Sequence, residues 1–321
     1  MSRTHVSHND IEQYAKEKVN LPKEWADEYR EQAGRVRDKV TTYLNEHPDF
    51  SLKKILLSGS LAKGTALKDL NDIDMACYIS CSIAPSTTSE LLEYLAERLR
   101  KAFPNMKPEQ VQPKTYSVTI SFRGSGLDVD VVPIIYEGDP DWYGKLISQD
   151  DGSFLETCIP RHLEFIRKRK STQPTDFAQV IRLAKQWVKH MKIERAGFKF
   201  KSFMVELVMS KLLDEGQDFT EYIEALQAFF TYLAKSDLRE LIAFKDYFPV
   251  PQSSSFSERA KIIDPVNPKN NAAKLYTNSQ LDAVVDGALD AGDAIDSALA
   301  ATTKEKTVYY WQKVFGSSFQ I

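Results

Sequence analysis

The sequence predicts an α+β protein, in which a mixed sheet with flanking helices is followed by a helical C-terminal lobe. Short segments with the two-residue period of strands are confined to the part of the chain before about residue 160. After that point apolar residues recur every three or four positions, which is typical of helices. A length of 321 residues favours two domains over one. We therefore expect a sheet-containing core over residues 1–165 and a helical domain over residues 166–321.

A long amphipathic helix is predicted over residues 22–46, and we expect it to be the spine of the N-terminal domain. Pro22 suits the first turn of a helix, and its apolar stripe is formed by Trp25, Tyr29, Ala33, Val36, Val40 and Leu44. The same periodicity predicts further helices over residues 89–102, 202–214, 219–234, 236–244 and 279–299. A serine-rich segment at residues 251–255 is expected to be a linker between helices.

The predicted strands lead into two short glycine-containing segments. An apolar strand at residues 55–57 runs into Gly59 and Ser60, and a second strand covers residues 73–79. Residues 118–122 alternate between apolar and hydroxyl side chains, and Arg123–Gly126 is predicted to be a hairpin turn. The strand that follows this turn carries Asp128 and Asp130 on one face and apolar residues on the other.

Three aspartates on these strands predict a metal site. Asp72 and Asp74 are two residues apart, so their carboxylates project from the same face of a strand. Acidic residues oppose strand propensity, and such violations of local rules concentrate at functional sites. A third carboxylate from the later strand, Asp130 in preference to Asp128, completes a set of hard oxygen ligands that suits Mg²⁺. Asp128 shares the face of Asp130, so the choice between them stays open.

The same segment contains a candidate phosphate site. Gly59 and Ser60 offer backbone N–H groups and a hydroxyl to a phosphate tail. Two Mg²⁺ ions ~4 Å apart can activate an attacking hydroxyl and neutralise the charge that develops on a departing pyrophosphate. In this interpretation Asp72 and Asp74 bridge the ions, Asp130 completes the metal that activates the hydroxyl, and Ser60 with Gly59 holds the β- and γ-phosphates. The residues thus predict nucleotidyl transfer.

Charge and composition restrict the class of partner. The net charge is −3, so no global basic field is available to recruit long nucleic acid. Arg182, Lys185, Lys189 and Lys192 form a basic stripe on a predicted helix. Such a stripe is usually the solvated side of a helix, and beside a nucleotide site it can also present lysine to a triphosphate. Both interpretations stay open.

The remaining bulk features indicate an intracellular protein. The three cysteines are an odd and sparse set, which argues against a disulfide framework. The N-terminal residues lack the apolar core of a signal peptide, and no apolar run approaches the length of a membrane span. We therefore expect a cytoplasmic protein.

Several motifs resemble one known family. Gly59–Thr65 together with Asn71–Asp74 is similar to the signature of polymerase-β-like nucleotidyltransferases. Leu127–Pro133 resembles the third-carboxylate strand of oligoadenylate synthetases, and Ile181–Trp187 and Ile263–Pro268 resemble the signatures of their helical lobe. The combination is similar to the cGAS/DncV-like nucleotidyltransferases, the bacterial signal synthases of anti-phage defence, over nearly the whole chain. Within them it most resembles a clade that makes cyclic oligoadenylates, notably cyclic tri-AMP.

The resemblance implies a set of site residues. It supports Asp72, Asp74 and Asp130 as metal ligands and Ser60, next to Gly59, as a contact of the triphosphate. In the helical domain it implies that Lys185 contacts the triphosphate and that Ser202 meets phosphate and base. Phe203 is implied as a stacking platform for the base.

The resemblance also implies substrates and partners. These are ATP with two Mg²⁺ ions, a HORMA-type protein activator and a TRIP13-like ATPase regulator. The chain lacks the zinc insertion of the animal DNA sensor and a strongly basic face, so we expect a protein activator and not long nucleic acid.

Two alternatives to ring formation remain open at this level. One is an enzyme that makes linear oligoadenylates or adds nucleotides to a linear chain. The other is a nucleotide-binding adaptor without catalysis.

Overall fold

A computed structural model describes residues 5–47, 52–82, 84–148 and 151–321, without the side chains of residues 44 and 45. Leu44, the last member of the predicted spine stripe, therefore lies outside the described side chains. The chain divides into two compact units. The sheet unit is Leu21–Glu164, and the helical unit consists of the residues up to Asn20 together with Phe165–Ile321.

The helices lie mainly at the start of the chain and after residue 158. They are α1 (His8–Tyr14), which continues into a π-helical turn (Ala15–Val19), α2 (Lys23–Glu46), α3 (Gly59–Lys63), α4 (Thr88–Ala102), α5 (Ile159–Thr172), α6 (Asp176–Glu194), α7 (Ser202–Asp214), α8 (Tyr222–Ser236), α9 (Asn278–Ala300) and α10 (Lys304–Phe315). Short 3₁₀ turns occur at Pro108–Gln110 and Ser253–Ser255.

The strands form one sheet in each unit. They are β1 (Leu52–Leu57), β2 (Asp72–Ser80), β3 (Val111–Pro113), β4 (Val118–Phe122), β5 (Leu127–Tyr136), β6 (Gly144–Ile147), β7 (Phe154–Thr157), β8 (Leu241–Ile242), β9 (Lys261–Asp264) and β10 (Asn267–Asn271). Together with the helices they confirm the predicted α+β class.

The sheet of the sheet unit is mixed. Its order is β1-β2-β5-β4-β3, and β6 pairs with β5 and with β7. The central pair, β2 and β5, runs parallel, whereas β1 with β2 and β4 with β5 run antiparallel. The predicted hairpin is confirmed, because Phe122 at the end of β4 pairs with Leu127 at the start of β5.

One face of this sheet is covered by helices. Ile73 of β2 and Val129 of β5 are fully buried in a core that includes Val40 of α2 and Leu95 of α4. Alternation along a strand places the neighbours of these residues on the opposite face. Asp72, Asp74, Asp128 and Asp130 therefore share the face that α2 and α4 do not cover.

The helical unit has its own aromatic core. Trp187 of α6 is fully buried and packs edge-on against Phe198 and Phe230. Within the described part of the chain, no helix combines the length and the apolar character that crossing a lipid bilayer requires.

Residues 5–20 belong to the helical unit, whereas the predicted N-terminal domain spans residues 1–165. The ring of Tyr14 lies 5.2 Å from that of Phe315 and 4.8 Å from that of Phe319. Asn20 donates a hydrogen bond of 2.7 Å to Gln179 of α6. These contacts bind the segment before α2 to helices that come much later in the sequence.

The helix predicted over residues 236–244 is wrong. Helix α8 ends at Ser236, and Asp237 and Leu238 have φ of 49° and 53°, in the left-handed region that a helix cannot continue through. The chain then forms β8, which pairs in parallel with β9. The local apolar spacing favoured a helix, but a partner strand far along the sequence decides the conformation.

Candidate active site

The acidic residues of β2 and β5 are brought together by the register of the parallel pair. Asp74 lies opposite Asp130, and Asp72 lies opposite Asp128. Paired strands are about 4.8 Å apart, so these carboxylates occupy one small area of the sheet. The structure thus places the three predicted metal ligands, and Asp128 with them, on a common surface.

Gly59 approaches this surface at the start of α3. Its φ is +64°, and a Cβ added to it would lie 1.8 Å from Oδ2 of Asp74. Ser58, just before it, donates a backbone hydrogen bond of 2.8 Å to the carbonyl oxygen of Asp74. Only glycine allows the backbone to pass this close to the carboxylate. Ser60 follows in the first turn of α3 and is half-buried.

The negative charges of these carboxylates destabilise one another's ionised forms. Burial, followed by the charges of Asp72 and Asp130, raises the pKa of Asp74 to about 6, and Lys63 acts in the opposite direction. Burial and the charge of Asp130 also raise the pKa of Asp72. Negative charges held together with partial burial resist ionisation. The surface is therefore one that a cation would stabilise.

Asp130 has a hydrogen-bond partner on the neighbouring strand. Oγ1 of Thr119 donates to Oδ1 of Asp130 at 2.5 Å, and the two residues are paired in register between β4 and β5. This contact orients one oxygen of the carboxylate. Thr119 is not among the predicted site residues, although its position in an alternating strand was a signal for a polar side chain on the acidic face.

The donor set suits Mg²⁺, which prefers carboxylate oxygens together with substrate phosphates. Among the described residues, no three acidic, histidine or cysteine side chains are gathered closely enough to hold an ion as they stand. Asp74 and Asp130 are direct neighbours, however, and Asp72 is two residues away on the same face. The register of β2 and β5 therefore places the three carboxylates at neighbouring positions on one face of the sheet.

Two cavities flank the acidic surface. One has a volume of about 400 Å³, and its lining includes Asp72, Asp128 and Asp130. The other has a volume of about 200 Å³, and Gly59 and Asp74 contribute to its lining. Larger cavities of about 490 and 640 Å³ lie in the helical unit, but none of the predicted site residues lines them. The two cavities beside the carboxylates are the ones that the predicted site residues line.

The helical unit holds the other predicted site residues. Lys185 of α6 is only 5% exposed, and its Nζ donates to Oε1 of Glu206 on α7 at 2.6 Å. Ser202 begins α7 and is exposed, and Phe203 follows it. Ser202 lies one helical turn before Glu206, so the two side chains share a face of α7.

The basic stripe on α6 is not a uniform solvated face. Arg182 donates a hydrogen bond of 2.8 Å to Oδ1 of Asn20, and burial lowers its pKa to about 10. Lys185 is buried in its ion pair, whereas Lys192 is exposed. The residues of this stripe therefore have separate local environments.

The chain is similar to proteins of known sequence and of known structure. No family model matches the chain. It is 62% identical over 320 residues to a protein of Escherichia coli strain MS 115-1 named cyclic AMP-AMP-AMP synthase, and the match covers 100% of both chains. It is 30% identical over 321 residues to a CBASS oligonucleotide cyclase, CdnC, of Escherichia coli strain KTE188, with 98% of each chain covered.

Solved structures of related proteins are also similar to this chain. CdnC of E. coli MS115-1 with ATP superimposes with a TM-score of 0.94 at 62% identity, covering 98% of this chain and 99% of that one. The same protein in a CdnC:HORMA-deltaN complex gives a TM-score of 0.93 at 61% identity, with 98% and 99% coverage.

The mixed sheet, with carboxylates on two central strands beside a glycine-serine segment, defines a nucleotidyltransferase. Identity of 62% over the full length narrows this class. The chain belongs to the cGAS/DncV-like nucleotidyltransferases, among the oligonucleotide cyclases of CBASS anti-phage defence. It is an enzyme that synthesises a cyclic oligonucleotide.

Proposed function

We propose that this protein joins ATP molecules, with Mg²⁺ bound to its acidic surface, and closes the product into cyclic tri-AMP. The observation that carries the proposal is the pairing of Asp74 with Asp130 on adjacent strands, below the backbone of Gly59. The relative that shares 62% of the sequence is named for synthesis of the same product, which supports the choice of base and ring size. A solved relative with ATP supports the substrate.

The residues of the sheet unit divide the work of each transfer. Bound Mg²⁺ would neutralise the phosphate charges and favour ionisation of the attacking hydroxyl. Asp72 and Asp74 would hold the ions, and Asp130, oriented by Thr119, would complete the site next to the acceptor hydroxyl. This hydroxyl gives its proton to solvent water and its oxygen bonds to the α-phosphorus, while the bond from the α-phosphorus to the departing pyrophosphate breaks. Gly59 and Ser60 hold the β- and γ-phosphates in this proposal.

The helical unit contributes contacts to the nucleotide. As the family resemblance implies, Lys185 would contact the triphosphate and Ser202 would contact a phosphate and the base. Phe203 would stack against the base. An ammonium group has three hydrogen-bond donors, and Nζ of Lys185 forms an ion pair with Glu206. Ser202 lies one helical turn before Glu206 on the same face of α7, which is compatible with a shared role.

Ring closure follows from repeated use of one site. A linear intermediate that is repositioned brings its free hydroxyl to the remaining triphosphate, and the same displacement then closes the ring. A cyclic product has no free terminus, whereas a linear oligoadenylate has one.

The proposed partners are proteins. A HORMA-type activator is supported by the solved complex of the related CdnC. A TRIP13-like ATPase regulator remains a prediction from the family resemblance. The net charge of −3 supports a protein activator in preference to long nucleic acid.

Product analysis tests this function. The protein is incubated with Mg²⁺ and each nucleoside triphosphate, with and without a HORMA-type partner, and the products are treated with phosphatase and weighed by mass spectrometry. We expect a phosphatase-resistant trimer of AMP, which Asp72→Asn does not form. A phosphatase-sensitive product would indicate linear transfer, and ATP binding without pyrophosphate release in any condition would indicate an adaptor.

A further inference from the structure

The loop between β3 and β4 borders the acidic surface and has no role in the function described so far. It is closed by a hydrogen bond of 2.8 Å from the backbone nitrogen of Lys114 to the carbonyl oxygen of Ser117. Immediately after it, Val118 pairs with Val131 and Thr119 with Asp130. The loop is thus held on both sides by strands, and one of these strands adjoins the strand that carries Asp130.

Tyr116 lies at the boundary between the two cavities of the site. It lines the cavity of about 400 Å³ together with Asp72 and Asp130, and it also lines the cavity of about 200 Å³ together with Gly59 and Asp74. Its side chain is half-buried against the core of the sheet unit. Burial and the charges of Asp130, Asp74 and Asp72 raise the pKa of Tyr116.

Ser117 lines the larger cavity and carries an unusual polar group. The residue is 1% exposed and lines that cavity, and its Oγ is buried without a hydrogen-bond partner. A buried hydroxyl without a partner destabilises a fold, so native structures rarely leave one unsatisfied. A hydroxyl in this position can be satisfied by a polar group of a bound molecule or by ordered water.

The larger cavity has the size and chemistry of a nucleoside site. Ligand pockets have volumes of about 300–1,000 Å³, and this one also contains the amide of Asn71 and the side chains of Lys114 and Thr115. Its acidic wall includes Asp130, the residue assigned to the acceptor hydroxyl. The smaller cavity adjoins Gly59 and Ser58, where the triphosphate of the donor is expected. The larger cavity therefore fits the nucleotide that attacks, not the one that is attacked.

We propose that Tyr116 and Ser117 hold the acceptor nucleotide of the transfer reaction. Ser117 makes a hydrogen bond to its sugar or base through Oγ, and Tyr116 packs its ring against the nucleoside. The assignment rests on the proposed function, since it names residues that recognise a substrate of the same site. It makes the β3–β4 loop a determinant of which nucleoside attacks.

Binding and kinetics on three variants test this assignment. Each protein is dialysed with Mg²⁺ and an ATP analogue whose α,β-bridging oxygen is replaced by methylene, and the analogue bound per chain is counted. We expect the native protein to bind two molecules of the analogue. Ser117→Ala should bind one of them with native affinity and the second with roughly tenfold lower affinity, the effect of losing one hydrogen bond. Tyr116→Ala should weaken the second molecule at least as much, whereas Tyr116→Phe should bind both, because it keeps the ring.

Stability measurements separate these effects from misfolding. Ser117→Ala removes a hydroxyl that has no partner, so its unfolding temperature should equal or exceed that of the native protein. Tyr29→Ala is the matched control for Tyr116→Ala, because Tyr29 is another half-buried tyrosine that packs against the same core. It should bind two molecules of analogue.

The outcomes distinguish this assignment from the proposed function. If Ser117→Ala and Tyr116→Ala bind both molecules with native affinity and release pyrophosphate from ATP at the native rate, the acceptor assignment is overturned and the proposed function stands. If the native protein with its HORMA-type partner releases no pyrophosphate from ATP, the proposed function itself fails.

Discussion

Gly59 and Asp74 are in such close contact that no side chain fits between them. A Cβ on residue 59 would lie 1.8 Å from a carboxylate oxygen of Asp74, and the φ of +64° excludes most other residues in any case. The glycine of the predicted phosphate-binding segment thus also restricts the position of a predicted metal ligand. The two motifs that the sequence presents a dozen residues apart form a single structural unit.

The first prediction concerns this contact. Gly59→Ala should displace Asp74 or α3 and lower the rate of pyrophosphate release from ATP by about a hundredfold, because misplacement by about 1 Å has effects of that size. The control is Gly34→Ala in α2, where an added Cβ meets no atom within 4 Å. It should leave activity unchanged and stabilise the protein by about 0.5–1 kcal/mol, measured by denaturant unfolding. Native activity in Gly59→Ala would contradict the proposed role of this contact.

The second prediction is a pH dependence of stability. The pKa of Asp74 is raised from 3.8 to about 6 in the folded protein. The folded state therefore favours the protonated form of Asp74 more than the unfolded state does. Its contribution to the free energy of unfolding is fully present below pH ~3.8 and is lost as the pH rises through about 6. Asp74→Asn should therefore stabilise the metal-free protein by about 1–3 kcal/mol at pH 7.5 and by almost nothing at pH 4.

The measurement is denaturant unfolding in the presence of a chelator at both pH values. Asp38→Asn, on the exposed side of α2, is the control and should show no such difference between pH 4 and pH 7.5. If Asp74→Asn is no more stable than the native protein at pH 7.5, the charges of the acidic surface do not destabilise the metal-free fold. Added Mg²⁺ should reduce the difference in the free energy of unfolding between Asp74→Asn and the native protein at pH 7.5, because the ion stabilises only the protein with its native set of carboxylates.

The acidic surface could be predicted from sequence because aspartates within apolar strands contradict strand propensity. Spacing alone could not establish that Asp74 lies directly beside Asp130, because this depends on the parallel register of β2 with β5, strands that are far apart in the chain. The preference for Asp130 over Asp128 has physical support in its pairing with Asp74 and its bond to Thr119.

Long-range packing determines features that local sequence patterns do not specify. The segment around Leu241 has helix-like spacing, but a parallel partner strand makes it β8. The residues up to Asn20 join the helical unit through aromatic contacts of Tyr14 with the last residues of the chain. The burial of Lys185 could not be inferred from its place in a basic stripe, because its partner Glu206 lies on another helix. In each case the deciding contact comes from a distant segment.

The third prediction concerns the buried ion pair of Lys185 and Glu206. Their side chains are 5% and 2% exposed, so Lys185→Met deprives a buried carboxylate of its cation and should destabilise the protein by about 3–5 kcal/mol. The double variant Lys185→Met/Glu206→Met should recover most of this loss, because replacing both charges by apolar groups is often neutral. Denaturant unfolding measures both values.

Activity of the double variant then separates the two roles of Lys185. If the lysine contacts the triphosphate, the stable double variant should require at least tenfold more ATP for half-maximal pyrophosphate release, the effect of losing a charge-assisted hydrogen bond of about 1.5 kcal/mol. An unchanged requirement for ATP would limit Lys185 to a structural role.

The fourth prediction concerns the hydrogen bond between Thr119 and Asp130. Thr119→Val keeps the shape of the side chain and removes the donor, so one oxygen of Asp130 is no longer oriented. Partners of metal-binding carboxylates typically contribute 10–100-fold to metal affinity, and we expect the Mg²⁺ concentration for half-maximal activity to rise roughly tenfold. Titration of pyrophosphate release with Mg²⁺ measures this change, and Thr119→Ser, which restores the hydroxyl, should restore the native requirement. A lower maximal rate with an unchanged Mg²⁺ requirement would mean that Thr119 acts on packing and not on the metal ligand.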